Sequence, residues 1–483
     1  MTRILSFFLI LSTLFYCGNL TAQQVAVDNF VKTKGLNSAH IGVNVIDLET
    51  GKSVASCNKN KSLAPASVMK VVTTSTALEL YGPDYRIPTL LQYSGFIDSS
   101  GVLQGDIYIK GGGDPTLGSE YIDRDKNDFF DVCVSAVARA GIKSINGRVI
   151  ADETCFDFEG ISFKWLWEDL GVDYGAGSYG ISIYDNIYRL FFKTEEPGSK
   201  PQILRTEPNM DDVVFRNYLI SEKRDNDSVY LCGIPFTNER WLYGALPANR
   251  TEFVTGGSIP DPPYFAAMCL HKALTDAGVS ISDVPTTCRI LEEQNRETAN
   301  NRTLLHTYYS PPLSDIIRKT NVPSNNHYAD HLLKLSALSK HSQASFKKGT
   351  DFALSFWKNK GMNLSGLVLY DGSGLSPSNR LTPQFVTDVL LYMNNKSRYA
   401  GDFYASLPIA GKEGTVRNFL KDANIGEVRL KSGSISGVQC YAGYINKGAK
   451  RYAFCIMVND FENSRQALRK AMEKMIIDYA KYL

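Results

Sequence analysis

The chain has little of what metal, nucleotide or histidine-driven chemistry requires. Only six histidines occur in 483 residues, and no C-x-x-C, H-E-x-x-H or P-loop pattern is present. A metal centre, a bound nucleotide and a resident cofactor therefore have no foundation in the sequence, and none is expected. The G-x-S-x-G elbow is missing as well, which argues against a Ser-His-Asp hydrolase. Charge of one sign is also lacking: 52 basic against 50 acidic side chains leave a net charge of +2. A nucleic-acid partner needs a basic footprint and is not expected. Past the N-terminus no stretch reaches the roughly 18 to 20 apolar residues that span a bilayer, so no transmembrane segment is expected in the mature chain.

The first residues read as an export signal. Arg3 precedes an apolar run from Ile4 to Tyr16, and Leu20-Thr21-Ala22 ends in a small residue before a cut at Gln23. This predicts a signal peptide over 1–22 and a chain exported to the periplasm or another extracytoplasmic part of the cell envelope. Lipidation at Cys17 is the rival reading, and the bulky Phe15 and Tyr16 fit it badly. The eight remaining cysteines, an even number in an exported chain, permit disulfides without fixing their pairing. Most look like small buried hydrophobes, as Cys455 does inside Tyr452–Val458. At about 150 residues per domain, the length suggests roughly three domains or one large domain with insertions.

Along the chain, His40–Asp47 and Ser53–Cys57 form a predicted hairpin that leads into a helix beginning near Pro65 or Ala66. Short strands are expected at Thr89–Tyr93 and Gly105–Lys110, and Gly111-Gly112-Gly113 reads as a tight turn before Asp114-Pro115. A helix is predicted over Phe129–Ala140, and strands over Ile145–Ala151 and Ile181–Phe192. The segment Lys193–Phe253 is strand-poor in pattern and looks like an inserted subdomain. Helices follow at Tyr264–Ala277, Pro312–Thr320 and Tyr328–Ala337. His327 and His331, four apart, suit a polar helix face better than a metal site, since no third ligand stands out. Glu427–Lys431, Val438–Ile445 and Tyr452–Val458 predict an antiparallel meander. A last helix, Ser464–Leu483, places Ala467, Leu468, Ala471, Met472, Met475, Ile476 and Tyr479 on one stripe.

Chemistry enters at Ser67-x-x-Lys70. On a helix start the two side chains share a face, with Cβ atoms about 5 to 6 Å apart, so the amine reaches the hydroxyl. To act as a base at neutral pH, a lysine that ordinarily titrates near 10.4 must be pulled down by about 3.4 pH units, roughly 4.6 kcal/mol against its charged form. Burial and a second cation are the two available causes. Taken alone, so short a pattern as S-x-x-K is better read as a helix cap and a solvated lysine. Two further short signals stand in chain order: Ser324-x-Asn326 in a polar loop before a helix, and Lys431-Ser432-Gly433 at a strand end.

Together the three signals resemble the serine penicillin-recognising enzymes. More than half the chain separates Ser67 from Ser324, which implies a large insertion and resembles the low-molecular-mass class C penicillin-binding proteins, the D-alanyl-D-alanine carboxypeptidase/endopeptidase family. The runs Gly111–Leu117, Tyr174-Gly175-Ala176, Asp371–Ser376 and Leu407–Gly411 with Gly414-Thr415 are similar to that family as well. The resemblance implies an α/β fold of α+β type. A two-layer transpeptidase-like domain, an antiparallel sheet flanked by helices, would be built from 23–85 and 290–483. It would carry a large, mostly β insertion over 86–289, with an inner subdomain near 160–255.

The same resemblance implies Ser67 as acylated nucleophile, Lys70 as its base, Ser324 as proton relay, and Asn326 as the group that holds the substrate amide and Lys70. Lys431 would attract the terminal carboxylate and help keep Lys70 neutral, and Ser432 would bind the same carboxylate. Gly433 would line the cleft, and the N–H groups of Ser67 and Ser434 would form an oxyanion hole. The family usually has threonine where Ser432 stands and often glutamate where Asp330 stands; neither departure removes a reacting group. The implied partners are peptidoglycan peptides, with β-lactam antibiotics as covalent inhibitors; oligomeric state stays open. A β-lactamase-like hydrolase and a non-catalytic peptidoglycan-binding protein are the alternatives. The large insertion argues against the first and Lys70 against the second.

Overall fold

The computed structural model describes residues 22–123 and 125–481. The predicted signal peptide, apart from its last residue, lies outside that range. Helix α1 (Ala22–Val31) leads to the hairpin β1 (His40–Asp47) and β2 (Ser53–Cys57), and a short 3₁₀ turn, Ala66–Val68, runs straight into helix α2 (Met69–Tyr81). The helix ends at Gly82, whose φ of +80° lets the chain turn away.

Next come β3 (Pro88–Tyr93), β4 (Ile107–Lys110), α3 (Asp128–Arg139) and β5 (Val149–Asp152). The strand expected over Ile145–Ala151 is in fact two, Ser144–Asn146 and β5. Gly147 interrupts them because a Cβ there would meet the Gly105 carbonyl at 2.2 Å. The segment expected to be strand-poor holds strand after strand. They include β6 (Ile187–Thr194), β7 (Glu239–Tyr243) and β8 (Arg250–Ser258), joined by shorter strands such as Gln202–Glu207 and Val214–Asn217. The strand predicted from Ile181 begins only at Ile187, because Tyr184, Asp185 and Asn186 all have positive φ and close a tight turn.

Helix α4 (Pro262–Asp276) starts as its sequence announces. Asp261 caps it by accepting from the Tyr264 N–H, and prolines fill the first positions. The strand β9 (Thr303–Tyr309) then pairs antiparallel with β3. The sheet of the inserted region therefore reaches to Tyr309, about twenty residues past the expected boundary at 289. The remaining elements are α5 (Leu313–Asn321), α6 (Asn326–Leu338), α7 (Phe346–Asn359), α8 (Pro383–Asn395), the meander β10 (Glu427–Ile435), β11 (Val438–Lys447) and β12 (Lys450–Asn459), and α9 (Arg465–Ala480).

The main sheet has the order β2-β1-β12-β11-β10 and is antiparallel throughout. Its N-terminal hairpin and C-terminal meander meet where β1 pairs with β12, so the two ends of the described chain close one sheet. Val438, Cys440, Ala442 and Tyr444 of β11 point into a core built with α2, α5, α6 and α8, while Tyr441 and Ile445 point into a second core built with α1 and α9. Both faces of β11 are apolar, so helices cover both. The domain thus has a helical layer on each side of the sheet, where two layers were expected. In α9 the buried stripe is Leu468, Met472, Met475, Ile476 and Tyr479, and Ala467 is exposed. The eight described cysteines are all free thiols.

Candidate active site

The nucleophile turn is held from behind. The Ala64 N–H donates to Asn459 Oδ1 on β12 at 2.8 Å, and Asn459 Nδ2 returns a bond to the Ala64 carbonyl at 3.1 Å. Pro65 precedes a residue, Ala66, held at φ +43°, and this sharp bend delivers half-exposed Ser67 at the head of α2. Strand β10 passes directly alongside. A Cβ on Gly433 would lie 2.6 Å from the Pro65 carbonyl and 3.0 Å from the Ser67 nitrogen, so only glycine lets the strand approach the turn this closely. Ser434 follows Gly433, exposed on the same strand.

Lys70, the second residue of α2 and one turn on from Ser67, is fully buried. Its Nζ lies 2.9 Å from Ser67 Oγ, 2.7 Å from Asn326 Oδ1 and 2.7 Å from the Ser373 carbonyl oxygen. Burial pulls its pKa down to about 7, against the opposing pull of the Asp330 and Asp371 carboxylates. The lowering that the sequence required is present, and burial supplies it. The charged groups that act most strongly on Lys70 are carboxylates, which favour its ammonium form, while the repulsion expected between the two lysines is expressed at Lys431.

Lys431 is also fully buried, and donates to Ser324 Oγ at 2.9 Å and to the Ser432 carbonyl at 2.7 Å. Burial, with the positive charge of Lys70 added, drives it well below the usual lysine range. Ser324 occupies a left-handed conformation, φ +66°, a strained position typical of working loops. Asn325 caps α6 by accepting from the Tyr328 N–H at 2.9 Å. The helix therefore begins at Asn326, two residues earlier than expected, and fixes the amide whose oxygen meets Lys70. Asn326 Nδ2 donates to the Tyr174 carbonyl at 3.0 Å. The Ser432 and Thr415 hydroxyls lie 2.7 Å apart.

The three sequence signals thus converge on one cleft. Beside it a cavity of about 210 Å³ opens, lined by Tyr121, Asp173, Tyr174, Asp185, Ser324 and Asn326 among others. Sequence reasoning missed the loop Asp371–Ser376 as a functional element, because it acts through its backbone. Asp330 Oδ1 accepts the N–H groups of Gly372 and Ser373 at 2.7 and 2.9 Å, and so holds the Ser373 carbonyl on Lys70. A carboxylate more than forty residues before the glycine-rich loop it holds leaves no local signal by which to notice it. His327 and His331 are buried, not on a solvated face. Their Nδ1 atoms pair with the Gly177 and Gly113 carbonyls, and His331 Nε2 meets the Ser182 hydroxyl. Among the described residues no group of His, Cys, Asp and Glu side chains is placed to hold a metal ion.

Comparison with known proteins agrees with this geometry. The model of the D-Ala-D-Ala carboxypeptidase 3 (S13) family matches residues 23–480. A D-alanyl-D-alanine carboxypeptidase of Actinomadura sp. is 27% identical over 475 residues, covering 95% of this chain and 85% of the relative. The carboxypeptidase DacB of Haemophilus influenzae is 24% identical over 430 residues, covering 88% and 86%. The crystal structure of penicillin binding protein 4 from Haemophilus influenzae superposes with a TM-score of 0.77 at 22% identity, covering 93% of this chain and 97% of that one. The fold is therefore shared across the insertion as well as the catalytic domain.

Proposed function

The chain belongs to the D-Ala-D-Ala carboxypeptidase 3 (S13) family, and from that premise we propose that it is a serine D-alanyl-D-alanine carboxypeptidase acting on peptidoglycan stem peptides through an acyl-enzyme on Ser67. The observation that carries the reading is the 2.9 Å contact between Ser67 Oγ and a buried lysine whose pKa lies near neutrality. An amine that is partly neutral at pH 7 can accept the hydroxyl proton; a solvated ammonium cannot.

Ser67 Oγ attacks the carbonyl carbon of the penultimate D-alanine as its proton passes to Lys70. The developing oxyanion is met by the N–H groups of Ser67 and Ser434, a stabilisation worth roughly 2.7 to 4 kcal/mol per donor. Collapse breaks the C–N bond, and the leaving amine takes up the proton that Lys70 gained from Ser67, relayed through the Ser324 hydroxyl, which is held by Lys431; Lys70 is neutral again. Water then cleaves the ester with Lys70 again as base, releasing the shortened peptide and restoring Ser67. The terminal carboxylate of the substrate supplies the negative charge that the Lys431 pocket lacks, with the Ser432 hydroxyl beside it. Asn326 holds the substrate amide, and Gly433 keeps the strand close. No step calls for a cofactor.

β-Lactams mimic the acyl donor and are read as covalent inhibitors. An H. influenzae penicillin binding protein 4 structure carries a β-lactam on this fold. The N-terminal apolar run supports export to the cell envelope. Strand pairing supports dividing the chain into a catalytic domain, 23–85 and about 310–481, and an inserted region between them.

Intact-mass spectrometry of the mature chain with benzylpenicillin, followed over time, tests the reading alongside release of D-alanine from a peptide ending in D-Ala-D-Ala. The expected result is a lasting adduct that Ser67→Ala abolishes, together with D-alanine release. A drug left intact, with no adduct, overturns the acyl-enzyme; rapid turnover of the drug places the chain with the β-lactamases.

A further inference from the structure

A neutral lysine amine has two N–H bonds and one lone pair. In this site two groups that can only accept, Asn326 Oδ1 and the Ser373 carbonyl, lie 2.7 Å from Lys70 Nζ. Each takes one N–H, and the lone pair is left for the Ser67 hydroxyl at 2.9 Å. The direction of proton transfer therefore depends on where the Ser373 carbonyl is held.

That carbonyl sits in a loop pinned from every side. Asp330 takes two of its N–H groups, and the Thr73 hydroxyl donates to the Gly372 carbonyl at 2.7 Å. Gly374 lies so close to the nucleophile turn that a Cβ would fall 1.9 Å from the Ala66 carbonyl. Asp371, buried at the start of the loop, accepts four bonds. Three come from within its own stretch: Gly374 N at 2.8 Å, Ser376 N at 2.7 Å and Asn379 Nδ2 at 2.7 Å. The fourth comes from Trp165 Nε1, at 2.9 Å. Trp165 belongs to the inserted region, is buried, and packs edge-on against Phe346 of α7. A neighbouring bond, from the Ser162 hydroxyl to the Tyr370 carbonyl at 3.2 Å, ties the same segment to the residue before Asp371.

We propose that Trp165, delivered by the inserted region, is a positioning residue for the catalytic base. By completing the coordination of Asp371 it fixes the loop so that the Ser373 carbonyl takes one Lys70 N–H and turns the amine lone pair onto Ser67. The inserted region then sets the chemistry of the domain that carries it. The inference rests on the acyl-enzyme reading above.

Trp165→Phe removes the N–H and keeps a ring against Phe346. The rate constant of acylation by benzylpenicillin should fall about tenfold, the scale of one hydrogen bond to a carboxylate. The dissociation constant of the preceding complex should stay within twofold, since nothing in contact with the drug has changed. The pH profile gives the reading that a merely structural role would not. A carbonyl acceptor favours the ammonium form, so displacing it should move the acidic limb of acylation to lower pH while the plateau drops. The other charged groups facing Lys70, namely Asp330 on α6, Asp371 in the loop and Lys431 on β10, are unchanged in this variant.

Asp371→Asn, which sets an amide N–H against an incoming donor, should lower the plateau in the same way and replaces the tryptophan variant if that one fails to fold; it is read on the plateau alone, because the lost carboxylate charge moves the limb by itself. Wild-type acylation with unchanged rate and limb in the folded variant overturns the proposal. An unacylated wild type overturns the acyl-enzyme reading itself, which separates the two failures.

Discussion

Two lysines lie fully buried in one cleft, and their surroundings differ. Around Lys70 the protein has placed two carboxylates, on α6 and in the loop after α7, and burial still brings the amine down only to about 7. Around Lys431 the neighbour that counts is another lysine, and the amine falls well below the usual range. The free protein thus tunes one amine to titrate near neutrality and leaves the other short of a counter-charge. The first surroundings suit a base that must both give and take a proton. The second suit an anion-binding pocket completed by the substrate carboxylate.

Removing the base should have the largest effect. Lys70→Met, close in volume and without charge, should slow acylation by roughly a hundred- to ten-thousand-fold, measured by stopped-flow trapping with a β-lactam. The same variant carries a stability signature. Folded Lys70 titrates near 7 against an ordinary value of 10.5, so between these values the unfolded chain binds more protons and stability rises with pH. Lys70→Met should flatten that rise in denaturant titrations at pH 7 and pH 9, and an unchanged slope would contradict the assignment.

Gly433→Ala should come next. The added methyl group meets the nucleophile turn on both sides of Ser67, and the strand that carries Ser434 must retreat. Displacing an oxyanion donor in this way should cost roughly a hundred- to thousandfold in acylation rate, with the melting temperature as the control for folding.

Lys431→Gln should cost less, about ten- to hundredfold in kcat/KM for a peptide with a free terminal carboxylate, the scale of a hydrogen bond between charged partners. A peptide ending in an amide should lose little further, because it brings no charge to the pocket. Equal losses for both peptides would remove the distinction between the two lysines.

Asp330→Asn gives the smallest and most selective change. The side-chain oxygen that holds Gly372 and Ser373 is retained while the charge opposing the lowering of Lys70 is removed. The acidic limb of acylation should move to lower pH with a nearly unchanged plateau. A limb that moves upward would show that the carboxylate does not act on Lys70.

The main sheet and the motif elements were legible from local patterns. Val438–Ile445 and Tyr452–Val458 are β-rich runs with apolar residues on both faces, and α9 carries its stripe at helical spacing, so these elements announce themselves. The strands between Lys193 and Phe253 do not. Gln202–Glu207 and Val214–Asn217 are exposed or half-exposed along their length, which leaves no alternating apolar signal to read. Likewise β9, without a fully buried residue, is a strand because β3 offers it an edge. The histidines of α6 carry a polar label in a sequence, and only the packing of the inserted region over them makes them core.

By itself the sequence determined the identities of the reacting groups and the local geometry that bears them: a serine and a lysine one helical turn apart, a serine and an asparagine at a helix start, a lysine and a glycine on a strand. Each of these rests on bonds a few residues long, and local propensity is enough to set it. Tertiary structure decided how those groups are charged and aimed. The pKa of Lys70 depends on burial by elements more than 250 residues away, and the aim of its lone pair on the Asn326 amide oxygen and the Ser373 backbone carbonyl. A carbonyl is present at every position of every chain, so which one becomes the acceptor is fixed only when the chain has closed on itself.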